Sequence, residues 1–186
     1  MYYNSLFRAF MVELKQRFGR RKETRKILSV CEWEGKKILD IGCNLGYLSG
    51  LIAKRAAFVM GIDTNHKAIT WAKIRNYGVD FFWSRDGKRL PFTPDFFDAV
   101  VLSHVLEHFE DPAPLLDEIK KILKKDGSEL VVIVPKEEYL GQNTPDHKAL
   151  FQSSEDLQRV MKAHAFKVLQ IMDIGKSIIA RCALDR

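Results

Sequence analysis

The segment Ile38 to Gly50, ILDIGCNLGYLSG, constrains this chain most, because it joins an apolar run to a glycine turn and then to a helical pattern. Ile38, Leu39 and Ile41 read as a short strand covered on both faces, as the strands of parallel sheets are. Gly42 and Gly46 allow a sharp turn where a side chain would block a ligand's approach. Tyr47, Leu48, Leu51 and Ile52 then recur at helical spacing. Phosphate-binding loops use the same strand, turn and helix order, but neither common fingerprint fits. The glycines fall at 42 and 46 with Asn44 between them, and Tyr47 stands where the last glycine of G-x-G-x-x-G belongs. No Lys followed by Ser or Thr comes after the second glycine, as a Walker loop requires. Asp40, at the strand's end, would repel a pyrophosphate and favour a ligand with a cationic amine.

The alternation continues downstream. Ala57 to Ile62 reads as a second strand ending at Asp63, Val79 to Trp83 as a third leading to Asp86, Phe97 to Leu102 as a fourth and Glu129 to Val134 as a fifth. The clearest helix between them has Asp111 as N-cap, Pro112 at its first position, and Leu115, Leu116, Ile119, Ile122 and Leu123 along one face. Asp126 and Gly127 are its stop signal. Strands alternating with helices imply an α/β fold whose sheet is mostly parallel with helices on both faces. Ligands of such sheets bind beyond the carboxyl ends of the strands. Asp40, Asp63 and Asp86 all lie at such ends.

ILDIGCNLGYLSG, then GIDTN, then RDGKRLPFTPDFFDAVVLSHVLEHFEDP together resemble the successive motifs of class I methyltransferases that use S-adenosylmethionine, and in particular the small-molecule type 11 branch. The resemblance spans residues 36–135, with a weaker tail beyond. The C-terminal part reads as a helix around Glu155 to His164, then strands near Phe166 to Ile171 and Ser177 to Ala183 joined by a turn at Gly175, and the resemblance implies a Rossmann-like seven-stranded sheet that these strands close as an antiparallel hairpin. It implies S-adenosyl-L-methionine as cofactor, with Asp40, Gly42, Cys43, Asn44, Gly46 and Tyr47 in the loop against its methionine part. Asp63, followed by Thr64, would receive both ribose hydroxyls, and Arg85, Asp86 and Gly87 would lie near the adenine. Ser103 and His104 would face the methyl-transfer region. Two departures stand out. Asn44 replaces the middle glycine of D-x-G-x-G-x-G, which asparagine tolerates better than other residues because it adopts left-handed angles more readily. Ala165 replaces the glycine usual before Phe166.

An acceptor that must lose a proton calls for a base, and histidine titrates nearest neutrality. His104 is the best placed candidate, and His147, opening HKALFQSSEDLQRVM, is the second catalytic candidate. His108, beside Glu107, has a packing role as the alternative, and His66 and His164 read as surface residues. Cys31, Cys43 and Cys182 form no C-x-x-C pair or Cys/His cluster, so no metal site is expected. An odd cysteine count without a disulfide framework fits a reducing cytoplasm.

At 186 residues the chain fits a single domain, read as an N-terminal helical lid over 1–30, a cofactor core over 31–135, and an acceptor-side segment with the hairpin over 136–186. No apolar run is long enough to span a membrane, and charges interrupt the start of the chain where a signal peptide would lie. Leu6, Phe7, Phe10, Met11 and Leu14 form an apolar stripe suited to closing over a site or packing on the sheet. The expected acceptor is a small or lipid-linked molecule. The net charge of +6, with Arg17, Arg20, Arg21, Lys22, Arg25 and Lys26 clustered, keeps an RNA substrate or RNA-binding role open, against the commoner solvated helix face. A cofactor-binding partner subunit without catalysis is the remaining alternative. Oligomeric state is not legible.

Overall fold

The computed structural model describes residues 21–185 apart from Tyr77, Lys88, Tyr139 and Asn143, with the backbone alone at Arg21. The apolar stripe from Leu6 to Leu14 lies outside the described residues, as do Arg17 and Arg20. In chain order the elements are α1 (Arg21–Val30), β1 (Lys37–Ile41), α2 (Tyr47–Ile52), β2 (Phe58–Asp63), α3 (His66–Arg75), β3 (Asp80–Trp83), β4 (Ala99–Ser103), a 3-10 turn (Leu106–His108), α4 (Ala113–Ile122), β5 (Glu129–Pro135), α5 (Ser154–Ala163), β6 (Phe166–Ile174) and β7 (Ser177–Leu184).

All the strands join one seven-stranded sheet in the order β3-β2-β1-β4-β5-β7-β6. β1 runs parallel to β2 and to β4, with Asp40 opposite Gly61 on one side and Val101 on the other. β7 is antiparallel to both β5 and β6, with a register shift between Val168 and Gln170. The order reverses between β1 and β4, which opens a crevice at their carboxyl ends.

Because side chains alternate along a strand, the central strands feed two cores. Leu39, Ile41, Val100, Leu102, Leu130 and Val132 join α4 and α5 on one face. Ile38, Val59, Ala99, Val101, Val131 and Ile133 join α1 on the other. α4 shows why such a sequence becomes a packed helix. Its Leu115, Leu116, Ile119 and Ile122 lie on one stripe and are all 2% exposed or less, each burial being worth ~1.5 to 3 kcal/mol as an upper figure.

Several element ends differ from the sequence expectation. α4 begins at Ala113 with Pro112 at the cap position, yet Asp111 still supplies the capping oxygen, its Oδ1 accepting the Ala113 N–H at 2.9 Å. The helix stops well before Asp126 and Gly127 because Leu123 turns extended and bridges Phe97. Phe97 accordingly precedes β4 instead of opening it. β6 runs to Ile174, past the expected Ile171, and Ala165 ahead of it holds φ 59.

Candidate active site

A cleft of about 1110 Å³ opens at the carboxyl ends of β1, β2, β4 and β5. Its floor is the turn after β1. Gly42 and Cys43 donate their N–H groups to Ile62 O at 2.8 and 3.0 Å, fixing the turn to β2. Asn44 takes the left-handed conformation (φ 50), as expected of the residue in the middle glycine's place. Its N–H donates to Asp63 Oδ2 at 2.8 Å, and Asn65 N–H donates to Asp63 Oδ1 at 2.7 Å. Asn65, not Asp63, caps α3 by accepting the Lys67 and Ala68 N–H groups.

The two loop glycines have packing reasons that the sequence did not reveal. A Cβ on Gly42 would sit 2.5 Å from Val105 Cγ2, and one on Gly46 would sit 2.5 Å from Phe81 Cζ. Both also hold φ 73. Gly42 lines the cleft, and the Cα of Gly46 packs against Phe81. The absence of a side chain at Gly46 thus allows close packing of α2 on β3.

Asp40 is 1% exposed and accepts a hydrogen bond from Ser49 Oγ at 2.6 Å. Burial, helped by the charge of Asp63, pushes its carboxyl up to about 7, against the pull of Ser49. Burial raises the Cys43 thiol far above its ordinary range, which makes it a packing group. Tyr47, Asp63 and Thr64 line the cleft, as do Asp86 and Gly87, while the exposed Arg85 does not. Ser84, not singled out from the sequence, lines it too and accepts the Gly87 N–H at 3.2 Å. Phe82 and Trp83 stay on the exposed sheet edge, each 49% accessible.

On the other side of β1 the cleft is built from β4, β5 and α1. Ser103 ends β4 and His104 follows it, holding φ 57, a strained backbone for a residue with a side chain. Its Nε2 lies 3.3 Å from Glu23 Oε2 and its Nδ1 3.3 Å from Glu107 Oε1. Glu23 also accepts a short hydrogen bond from Ser177 Oγ, so one carboxylate ties α1 to β7 and to His104. His147 is buried with Nδ1 on the buried Glu137, and His108 Nδ1 faces Asp146. Of the other histidines, His66 is exposed as expected and His164 is half-buried.

Sequence reasoning missed Glu23, hidden in a basic run, and the meeting of Glu107 with His108 and His147. One donor atom from each of those three lies within 4.8 Å of the others. Cysteine spacing, which guided the expectation of no metal site, is blind to such a group. The adjacent Glu107-His108 pair was the available signal.

The cleft suits a cationic ligand: Asp40, Asp63, Asp86 and Glu23 line it, and Asp40 lies buried against the loop that would meet a ligand's amine. Among the described residues no helix is long and apolar enough to cross a membrane.

A family model described as a methyltransferase domain matches residues 39–131. The chain is 36% identical over 97 residues to a ubiquinone biosynthesis O-methyltransferase of Aeromonas salmonicida, covering 50% of this chain and 41% of that protein. A protein of the same name from Aliivibrio fischeri is 29% identical over 143 residues, covering 67% and 61%. The chain therefore spans about half the length of these curated relatives. Among solved structures, a SAM dependent methyltransferase from Aquifex aeolicus superposes with a TM-score of 0.77 at 18% identity, covering 94% of this chain and 97% of that one.

Proposed function

The chain belongs to the class I methyltransferases that use S-adenosylmethionine, in their type 11 branch, and on that premise we propose that it transfers a methyl group in line to an oxygen of a small or lipid-linked acceptor. The observation that carries this reading is the buried Asp40 beside an acid-lined cleft at the sheet's reversal point. The matched relatives named as O-methyltransferases support oxygen as the acceptor atom.

S-adenosylmethionine supplies a methyl group made electrophilic by its sulfonium centre. The chain's own part is positioning, which can contribute roughly 7 to 11 kcal/mol when reacting atoms are held in line. In the proposed arrangement Asp40 and the loop from Gly42 to Tyr47 hold the methionine part, with Asp40 facing the ammonium. Asp63 is fixed by two backbone N–H groups, and each of its oxygens keeps a lone pair for a ribose hydroxyl. Thr64, Ser84, Asp86 and Gly87 border the adenine end. Arg85, exposed beside Asp86, stands next to that set. Ser103 and His104 stand where the acceptor would enter, and His104 is the side chain proposed to contact the acceptor hydroxyl.

Calorimetry with S-adenosylmethionine and its demethylated product, paired with labelled methyl incorporation into a cell extract, tests this. Binding of both with transfer of label is expected. Binding without transfer would favour a non-catalytic partner, and no binding would remove the reading. Asp63→Ala is expected to weaken cofactor binding by ~1.5 to 3 kcal/mol, the scale of hydrogen bonds to a charged group. An unchanged dissociation constant would show the ribose assignment to be wrong.

A further inference from the structure

We propose that Glu107, His108 and His147 form a binding site for one divalent cation of the zinc class, on the β4 side of the cleft. Glu107 and His108 come from the 3-10 turn after β4, and His147 from a segment some forty residues later. The two are held together by backbone. Glu107 O accepts the N–H groups of Lys148 at 2.6 Å and Ala149 at 3.0 Å, which sets His147 against the turn.

The donors are arranged as a metal would need them. One atom from each residue falls within 4.8 Å of the others. Glu107 is 1% exposed, and both of its carboxylate oxygens are buried with no hydrogen-bond donor on them among the described residues, His104 Nδ1 standing 3.3 Å from one. A buried carboxylate lacking such donors is costly unless a positive charge compensates it. Both imidazoles already have their outer partners. His147 Nδ1 is held by the buried Glu137, and His108 Nδ1 lies 3.3 Å from Asp146 Oδ2, so in the proposed site Nε2 of each ring is the ligand atom. Carboxylates that orient metal-bound histidines in this manner are common outer partners of such sites.

Two imidazoles and one carboxylate suit zinc, cobalt or ferrous iron better than magnesium or calcium, which prefer all-oxygen sets. Three protein donors also leave a coordination position for water or an acceptor oxygen. Only that last role rests on the methyltransferase reading; the site itself does not.

The test uses the full chain, stripped of metal by chelator dialysis and titrated with Co²⁺ and with Zn²⁺. One cation per chain is expected, with Co²⁺ broadening the ring resonances of His108 and His147 and leaving those of the exposed His66 sharp. Glu107→Gln and His147→Gln should each weaken binding at least ~10 to 100 fold, the scale already seen for outer partners of metal ligands, whereas His66→Gln should not change it. Circular dichroism and cofactor affinity report whether each variant is folded, and the wild-type broadening pattern decides the question if one is not. No stoichiometric binding, or broadening away from His108 and His147, overturns the site. A chain that binds cofactor but no cation loses this proposal alone; one that binds the cation but no cofactor loses the methyltransferase reading instead.

Discussion

Asp40 turns a position in a motif into a proton-linked group. Its folded value of about 7 lies above its ordinary 3.8, so the folded chain keeps a proton there that the unfolded chain has released across that window. The stability this contributes is present at the acid end and is lost as pH rises through about 7. A cofactor ammonium beside Asp40 favours the ionised form, so binding at pH ~6 should release a proton. Titrations at that pH in buffers of different ionisation heat are expected to show the release, and Asp40→Asn to abolish it. Heats that do not depend on buffer would rule the linkage out. Gly46 yields a second expectation at this scale. Alanine there must adopt φ 73 and place its Cβ 2.5 Å from Phe81 Cζ. The left-handed backbone and the overpacking together should cost about 2 to 5 kcal/mol, read by urea denaturation. The identities of Asp40, Asp63 and Asn44 were legible because strand-end acids and turn residues carry their chemistry in their type. The packing of Gly46 against Phe81 was not, since it depends on which neighbour lies there.

Elements were legible where periodicity and caps agree and less so where pairing intervened. α5 shows agreement: Ser153 and Asp156 form a reciprocal capping box, with Gln152 and Ser153 N–H groups both on Asp156 Oδ2 at 3.0 Å. Ser153→Ala should lower stability by ~1 kcal/mol and the Tm by ~2 to 4 °C in a thermal scan. A melting point left in place would mean that packing of Leu157 and Met161 alone fixes the helix start. α4 shows the limit. Its stop signals at Asp126 and Gly127 are real turn residues, but Leu123 gains more by pairing with Phe97 while staying 1% exposed. Pairing of this kind between segments apart in sequence has no local signature. The same holds for Glu23, whose carboxylate reaches His104 and Ser177 from a helix that reads as a basic surface.

For the whole molecule, the net charge of +6 and the acidic cleft belong to different places. On α1, Lys22, Arg25 and Lys26 are exposed while Thr24, Ile27 and Val30 are buried, as a solvated amphipathic helix requires. Any retention of single-stranded RNA should therefore arise on that helix and fall with salt. Replacing those three residues by alanine should reduce the logarithmic salt slope by about 2 and leave cofactor affinity alone. Competition between RNA and S-adenosylmethionine in a filter assay would contradict this separation. The overall α/β order was legible from the strand and helix alternation, while the seven-stranded closure came from the resemblance alone, because antiparallel β7 pairs with strands on both sides.

That placement of β7 has a consequence for synthesis. Residues 177–184 lie between β5 and β6, and Ser177 holds Glu23 from the start of the described chain. While a ribosome is still adding those residues, β5 and β6 have no strand to join them and α1 lacks its far anchor. The first five strands can assemble during translation, but the cleft wall that contains His104 takes its final form only after the last strand has left the exit tunnel.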